Sequence, residues 1–254
     1  MKGPRLTYIG GPTALIEWGG LRLLTDPTFD PAGRVYETPV YTLRKTRGPS
    51  VEPAAVGTID AVLLSHDHHF DNLDDAGRAL VGRVGRVLTT AAGAERLGPA
   101  AVALEPWATV DLPSPAGGVL RVTATPARHG PAHLDRGPVI GFVLEIPDGA
   151  VYLSGDTVWY EGVAEVARRF PARAIVLFMG AARVAQVGPW LLTFDAAGGV
   201  EAARAFEGAT VVPLHFEGWE HFSESRADIE EAFAGAGMEA RLRWPEPGRP
   251  TELW

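Results

Sequence analysis

The chain has 254 residues, 46% of them hydrophobic, a formal net charge of −8 and no cysteine. Such a length fits one large α/β domain or two small ones around a sizeable core. The negative balance, with Lys and Arg spread thinly, excludes a general polyanion binder, because neutralising phosphates takes clustered cations; the absence of cysteine excludes disulfides and leaves any transition metal to histidine and carboxylate ligands.

No apolar stretch of signal-peptide length follows Met1, and the most apolar segment, Ala174 to Ala182, is far short of the roughly 20 residues that span a bilayer. A cytoplasmic chain with no cleaved leader and no membrane span is therefore expected. Leu6–Ile9, Ala14–Trp18 and Leu21–Thr25 are β-rich runs broken by Gly-Gly-Pro and Gly-Gly, which predicts an antiparallel meander. From Pro27 to Pro53 the chain is rich in Pro, Gly and charge without periodicity, so a long loop with the character of a lid is expected. Strand-like and helical runs then alternate: a strand at Ala61–Leu64, a helix from about Asp71 to Val81, a strand at Val87–Thr89 and a helix near Ala91–Leu97. Val102–Leu104, Ala108–Leu112, Leu120–Ala124, Val139–Ile146 and Val151–Leu153 form a second group of strands, the last two joined by a Pro-Asp-Gly turn. A helix at Gly162–Arg169, a strand at Ala174–Phe178, a helix near Ala196–Phe206 and a strand at Thr210–Leu214 follow. Ser225 with Asp228 three residues on opens another helix, and Ala240–Trp244 reads as a last strand. Two groups of strands, each followed by helices, predict two sheets packed face to face with helices outside, in a single domain over residues 1–254.

The strand at Ala61–Leu64 is apolar on both faces and delivers Ser65-His66-Asp67-His68-His69-Phe70-Asp71-Asn72 into a strand-to-helix loop, where α/β proteins place their sites. Three histidines and two aspartates in six positions are costly in a core, since desolvated imidazoles and carboxylates need partners. His129, Asp156 and His215 each lie just beyond another predicted strand. Each alone has an ordinary reading, as a loop residue, an Asx-turn former beside Gly155 and a backbone-bonded core histidine. With the first cluster they supply what a Zn²⁺-like ion needs: neutral imidazoles and a carboxylate able to bridge.

In this ordered set the chain resembles the metallo-β-lactamase superfamily, and within it the branch of ascorbate-6-phosphate lactonase-like and N-acyl-phosphatidylethanolamine phospholipase D-like hydrolases. Tyr8 to Ile16 with Leu24 to Pro27 is similar to that branch's opening strands, Ser65 to Leu73 to its first metal motif, Pro126 to His129 to the second, and Ser154 to Thr157 to the bridging-aspartate motif, with His215 as the last ligand. The resemblance implies an α/β, four-layer αββα sandwich of mostly antiparallel and mixed sheets, and a first metal site of His66, one or both of His68 and His69, and His129. It implies a second site of Asp71 and His215, bridged by Asp156. The family pattern is His-x-His-x-Asp-His, whereas here one residue is inserted and Asn72 stands at the final histidine. An amide is a poorer ligand than imidazole, so one tight zinc or manganese site is expected, with a second that is weak or absent.

The resemblance implies hydrolysis of a small-molecule lactone, ester or phosphodiester by a metal-activated water, with Asp71 and Asp156 as the catalytic carboxylates and Asp71, where it does not ligate firmly, able to orient or deprotonate the nucleophile. A metal-binding member of the fold with lost catalysis is the alternative. Neither nucleic acid nor a membrane is an expected partner, and a homo-oligomer is left open. His133 and His221 are candidates for the acid, against the plainer reading of each as a surface histidine. Trp159, Tyr160, Trp190, Trp219 and Phe222 could line a pocket or simply pack their loops.

Overall fold

The computed structural model describes residues 3–134 and 136–254; residues 1 and 2, where the reading of the chain start begins, lie outside these. The chain opens with β1 (Arg5–Gly10), β2 (Thr13–Trp18) and β3 (Leu21–Thr25), the expected meander, paired antiparallel in sequence. The stretch expected to be a long loop contains a short hairpin instead, β4 (Val35–Glu37) with β5 (Thr42–Arg44). Tyr36 and Leu43 are its buried positions, and the alternation is too short to stand out among the prolines and charges.

β6 (Ala61–Leu63) is buried throughout, pairs parallel with β3, and passes into α1 (Asp75–Val81). That helix starts four residues later than expected, because the Asp74 carboxylate caps it by accepting from Gly77 N at 2.8 Å. β7 (Val87–Thr89), α2 (Ala91–Leu97) and β8 (Ala101–Ala103) continue the parallel half.

The second sheet is built from β9 (Thr109–Pro113), β10 (Val119–Pro126), β11 (Ile140–Ile146) and β12 (Gly149–Leu153), all antiparallel, then β13 (Ala172–Phe178) and β14 (Thr210–Leu214), which join parallel. Its crossovers are α3 (Glu161–Arg169) and α4 (Ala196–Ala205). α5 (Arg226–Gly235) follows, with the Ser225–Asp228 capping box that the sequence predicts. The last strand is not at Ala240–Trp244: Leu242 makes only an isolated bridge to Val211, and β15 (Pro250–Glu252) pairs with β1. Arg241 bonds the carbonyls of Ala203, Phe206 and Ala209, so this segment seals the end of α4 and does not extend a sheet.

Strand order is β15-β1-β2-β3-β6-β7-β8 in one sheet and β14-β13-β12-β11-β10-β9 in the other. Between them lies a core including Leu6, Leu23, Leu63, Val122, Phe142 and Val176. Outside the second sheet, Val163 and Val166 of α3, Ala202 of α4 and Ile229 and Phe233 of α5 cover Tyr152, Ile175 and Val211. Outside the first, Leu80 and Val81 of α1 cover Leu24 and Val62. Four αββα layers result, each large apolar side chain so buried contributing about 1.5–3 kcal/mol. No helix among the described residues is long and apolar enough to cross a membrane.

Candidate metal centre

β6, β10, β12 and β14 all deliver their following loops to one rim of the sandwich. Leu64-Ser65-His66 leaves the end of β6, His129 follows β10, Asp156 follows β12, and His215 follows β14. Two positions show backbone shaped for this task. Gly155 has φ 59°, and a Cβ there would stand 2.6 Å from the Ile140 carbonyl, so only glycine admits the turn that presents Asp156. His215 is itself left-handed at φ 52°, a strained conformation held in part by its N–H donating to Gly11 O at 2.9 Å.

The residues gather into two buried groups, each with its donor atoms within 4.8 Å of one another: His66, His69 and His129, and Asp71, Asp156 and His215. In the first, His69 Nδ1 lies 3.0 Å from His66 Nε2 and 3.2 Å from His129 Nε2. Asp156 joins the two. Its Oδ2 is 3.6 Å from His129 Nε2 and 3.9 Å from His66 Nε2, while its Oδ1 is 3.6 Å from His215 Nε2. His215 Nε2 is also 3.6 Å from Asp71 Oδ2.

Of the two histidines left open by the inserted residue, His69 enters the cluster and His68 does not: the His68 ring turns to the Arg136 carbonyl, 2.7 Å from its Nε2. The extra residue is accommodated because Phe70 stacks on Tyr36 of the hairpin with ring centroids 4.6 Å apart. Asp67 also faces away, in a bidentate pair with Arg96. Asn72 is fully buried beside the centre, its amide donating to Asp156 Oδ1 at 3.4 Å.

The family model described as a β-lactamase superfamily domain matches residues 21–216. The chain belongs to the metallo-β-lactamase superfamily. A metal-dependent hydrolase of Aeropyrum pernix is 25% identical over 267 residues, covering 98% of this chain and 97% of that one. An uncharacterised protein of Mycobacterium tuberculosis is 41% identical over 78 residues, 30% of this chain, and the match spans only 20% of that relative's length. Among solved structures, an isothiocyanate hydrolase from Delia radicum gut bacteria superposes with a TM-score of 0.82 at 23% identity, covering 98% of this chain and 100% of that one.

In proteins that ligate metals through histidine, the partners of the outer ring nitrogens decide which nitrogen is free. Asp26 accepts both the Ser65 N–H at 2.9 Å and the Ser65 hydroxyl at 2.7 Å. The hydroxyl therefore has a lone pair for His66 Nδ1, 2.9 Å away, which puts the proton on Nδ1 and leaves Nε2 free toward the cluster. His129 Nδ1 likewise donates to Leu192 O at 2.7 Å, freeing its Nε2. In the sequence Asp26 stands only as part of an opening strand motif, and nothing local marks it as the anchor of His66.

The electrostatics suit a cation. Burial, with the neighbouring imidazoles, holds His66 and His69 well below the usual histidine range, burial takes His129 down to about 4, and burial lowers His215, so all four are neutral donors at neutral pH. Burial and the charges of Asp71 and Asp26 push Asp156 well above the carboxylate range. Burial would raise Asp71 too, but the imidazoles of His215, 3.6 Å away, and His221, 3.0 Å away, outweigh it and hold that carboxyl low. Among the described residues, Asp156 Oδ2 and His215 Nε2 are buried with no hydrogen-bond partner. Such orphaned atoms are costly unless something else satisfies them, and a divalent cation held by these N and O donors would do so.

Of the aromatics singled out in the sequence, Phe222 packs 4.8 Å from the His215 ring and Trp219 packs on Tyr36. Trp159 and Tyr160 pack with the outer helices, and Trp190 is exposed beside His133.

Proposed function

We propose that the chain is a hydrolase that holds zinc or manganese with His66, His69, His129, Asp71, Asp156 and His215 and cleaves a small-molecule lactone, ester or phosphodiester. The observation that carries this is Asp156, whose two oxygens face the two donor groups separately, as a bridging carboxylate requires. The resemblance to the lactonase-like and phospholipase D-like branch supports the substrate classes named. When bound, a divalent ion supplies Lewis acidity and brings the pKa of a coordinated water toward about 7.

This chain's residues supply the rest. His66 and His129 are locked in the tautomer that offers Nε2, by Ser65 and by the Leu192 carbonyl. Asp71, held ionised by His215 and His221, is placed to accept a proton from a nucleophilic water or to orient it. A narrow cleft over the centre is walled by Tyr41, Leu43, Val184 and Leu192, with Arg136 as its cation. That guanidinium sits over the Tyr41 ring at 5.6 Å and 3.3 Å from His69 Nε2, where it can meet a carbonyl or phosphoryl oxygen. The walls suit a compact, partly apolar substrate. A larger surface groove of about 670 Å³, lined by Glu52, Thr58, Leu80 and Arg83, has no histidine and plays no part in this reading.

Elemental analysis of protein purified without chelator, followed by a screen of lactones, esters and phosphodiesters before and after metal removal, tests the proposal. Turnover lost on chelation and restored by zinc or manganese is expected. Protein that neither carries metal nor takes it up from micromolar Zn²⁺ or Mn²⁺ would overturn it.

A further inference from the structure

Asn72 occupies the position where the superfamily pattern has an imidazole, and its amide is turned to carboxylates: Nδ2 donates to Asp156 Oδ1 at 3.4 Å and also hydrogen-bonds Asp26. The opposite orientation would set the amide oxygen against two carboxylate oxygens, so Asn72 acts as a donor that steadies Asp156. An imidazole is nevertheless present on this side of the centre. His221 places Nε2 3.0 Å from Asp71 Oδ2, the same oxygen that His215 Nε2 approaches at 3.6 Å.

We propose that His221 supplies the imidazole that position 72 lacks, as the fourth protein ligand of the second metal position with Asp71, Asp156 and His215. The proposal rests on the metal-centre reading above and extends it to a residue outside the family's motifs. Neighbouring donors in a tetrahedral shell with bonds of 2.0–2.1 Å lie about 3.3 Å apart, and His221 Nε2 and His215 Nε2 flank the same Asp71 oxygen at 3.0 and 3.6 Å; Asp71, Asp156 and His215 have their donor atoms within 4.8 Å of one another, and His221, outside that group but against Asp71, would turn its ring inward to complete the shell. The side chain of His221 is only 10% exposed, and its Nδ1 is buried without a partner among the described residues.

The backbone that carries His221 is held from both sides, so its approach to Asp71 is a feature of the fold. Arg183 N donates to His221 O at 3.0 Å, and Ser223 donates from N to Gly180 O at 3.0 Å and from Oγ to Ala181 O at 2.6 Å. Glu220 N donates to Arg44 O at 3.0 Å, tying the same loop to β5. Between these anchors the Phe222 ring fills the space that Gly180 leaves: a Cβ there would stand 2.3 Å from the ring. Phe222 in turn packs 4.8 Å from His215, so the loop presents His221 and braces His215 together.

The rival explanation is that His221 only donates a hydrogen bond to Asp71. Calorimetric titration of chelator-stripped protein with ZnCl₂ separates the two, using His221→Ala and His221→Gln, since glutamine keeps an N–H donor but offers no imidazole. Wild type is expected to bind two equivalents. Both variants should keep the first equivalent at wild-type affinity, which also reports an intact fold, and should bind the second more than about 100-fold weaker, beyond the 10–100-fold typical of losing an outer-shell partner. Asn72→Ala should retain the second equivalent. As a mutation-free measure, ¹⁵N-histidine spectra of wild type should show two histidine rings shifting with the second equivalent.

A wild type that binds one equivalent, a His221→Gln variant that binds both as wild type does, or a single shifting ring would each overturn the proposal while leaving the metal-centre reading intact. A wild type that binds no metal would overturn that reading and this proposal with it.

Discussion

Ser65→Ala is the most telling perturbation of the centre, because it touches no proposed ligand atom. The Ser65 hydroxyl is fully buried, donates to Asp26 Oδ1 at 2.7 Å and stands 2.9 Å from His66 Nδ1. Its loss leaves the Nδ1 proton without an acceptor and leaves Asp26 with only the backbone N–H at 2.9 Å. One unmet buried group costs about 1–3 kcal/mol, and at about 2 °C per kcal/mol for a chain of this size the metal-free protein should melt about 2–6 °C lower. The larger effect is on the imidazole, which is then free to move its proton to Nε2, the atom facing the cluster. Losing an outer-shell partner of this kind typically costs 10–100-fold in metal affinity, or about 1.4–2.8 kcal/mol. Competition for Zn²⁺ against a chromophoric chelator at neutral pH measures the affinity, with thermal melts of the stripped protein alongside. Zinc affinity within about twofold of wild type would refute the claim that Ser65 sets the His66 tautomer.

Burial raises Asp26 from 3.8 to about 7, against the lowering effect of its Ser65 hydrogen bonds, so in the metal-free protein this group's stabilising contribution is complete below pH 4 and is lost as pH rises through about 7. Asp26→Asn removes that dependence, and its melting temperature relative to wild type should rise between pH 4 and 8 by the equivalent of up to about 4 kcal/mol; a constant difference across that window would contradict the assignment. Lys45 and Asp74 form a buried ion pair at 2.8 Å, with Asp74 also accepting from Phe29 N at 2.9 Å, Asp30 N at 2.7 Å and Gly77 N at 2.8 Å. Asp74→Ala strands the ammonium and uncaps α1, costing about 3–5 kcal/mol for the pair and about 1 kcal/mol for the cap. Thermal melts should show a drop that the Lys45→Met, Asp74→Ala double variant partly recovers, and equal drops in single and double variants would argue against a stranded charge. Asp156→Ala should lose bound metal and turnover, whereas His133→Ala, whose ring lies 4.8 Å from exposed Trp190, should keep both; elemental analysis showing full metal content in Asp156→Ala would rule out the bridging role.

The layered fold was legible in the sequence because its elements are locally encoded. The doubly apolar β6, the Gly-separated meander and the Ser225 capping box each carry their own period or cap, and the structure has them within a few residues of expectation. The strand-end positions of His66, His129, Asp156 and His215 followed for the same reason, since a loop after a buried strand can lie only at a sheet rim. What the sequence left open depended on contacts between distant segments. Whether His68 or His69 turns inward is decided by Phe70 stacking on Tyr36 from the hairpin and by the Arg136 carbonyl capturing His68, neither of which is near in sequence. Asp26 is 39 residues from the Ser65 it anchors, and His221 is 150 residues from the Asp71 it meets. The last strand was misplaced because Leu242 is apolar for packing near α4, while pairing with β1 falls to Pro250–Glu252, a segment without strand-like patterning. Periodicity reports how a segment divides its faces between core and solvent; which carboxylate steadies which imidazole is set only when the two sheets and their loops close on one another.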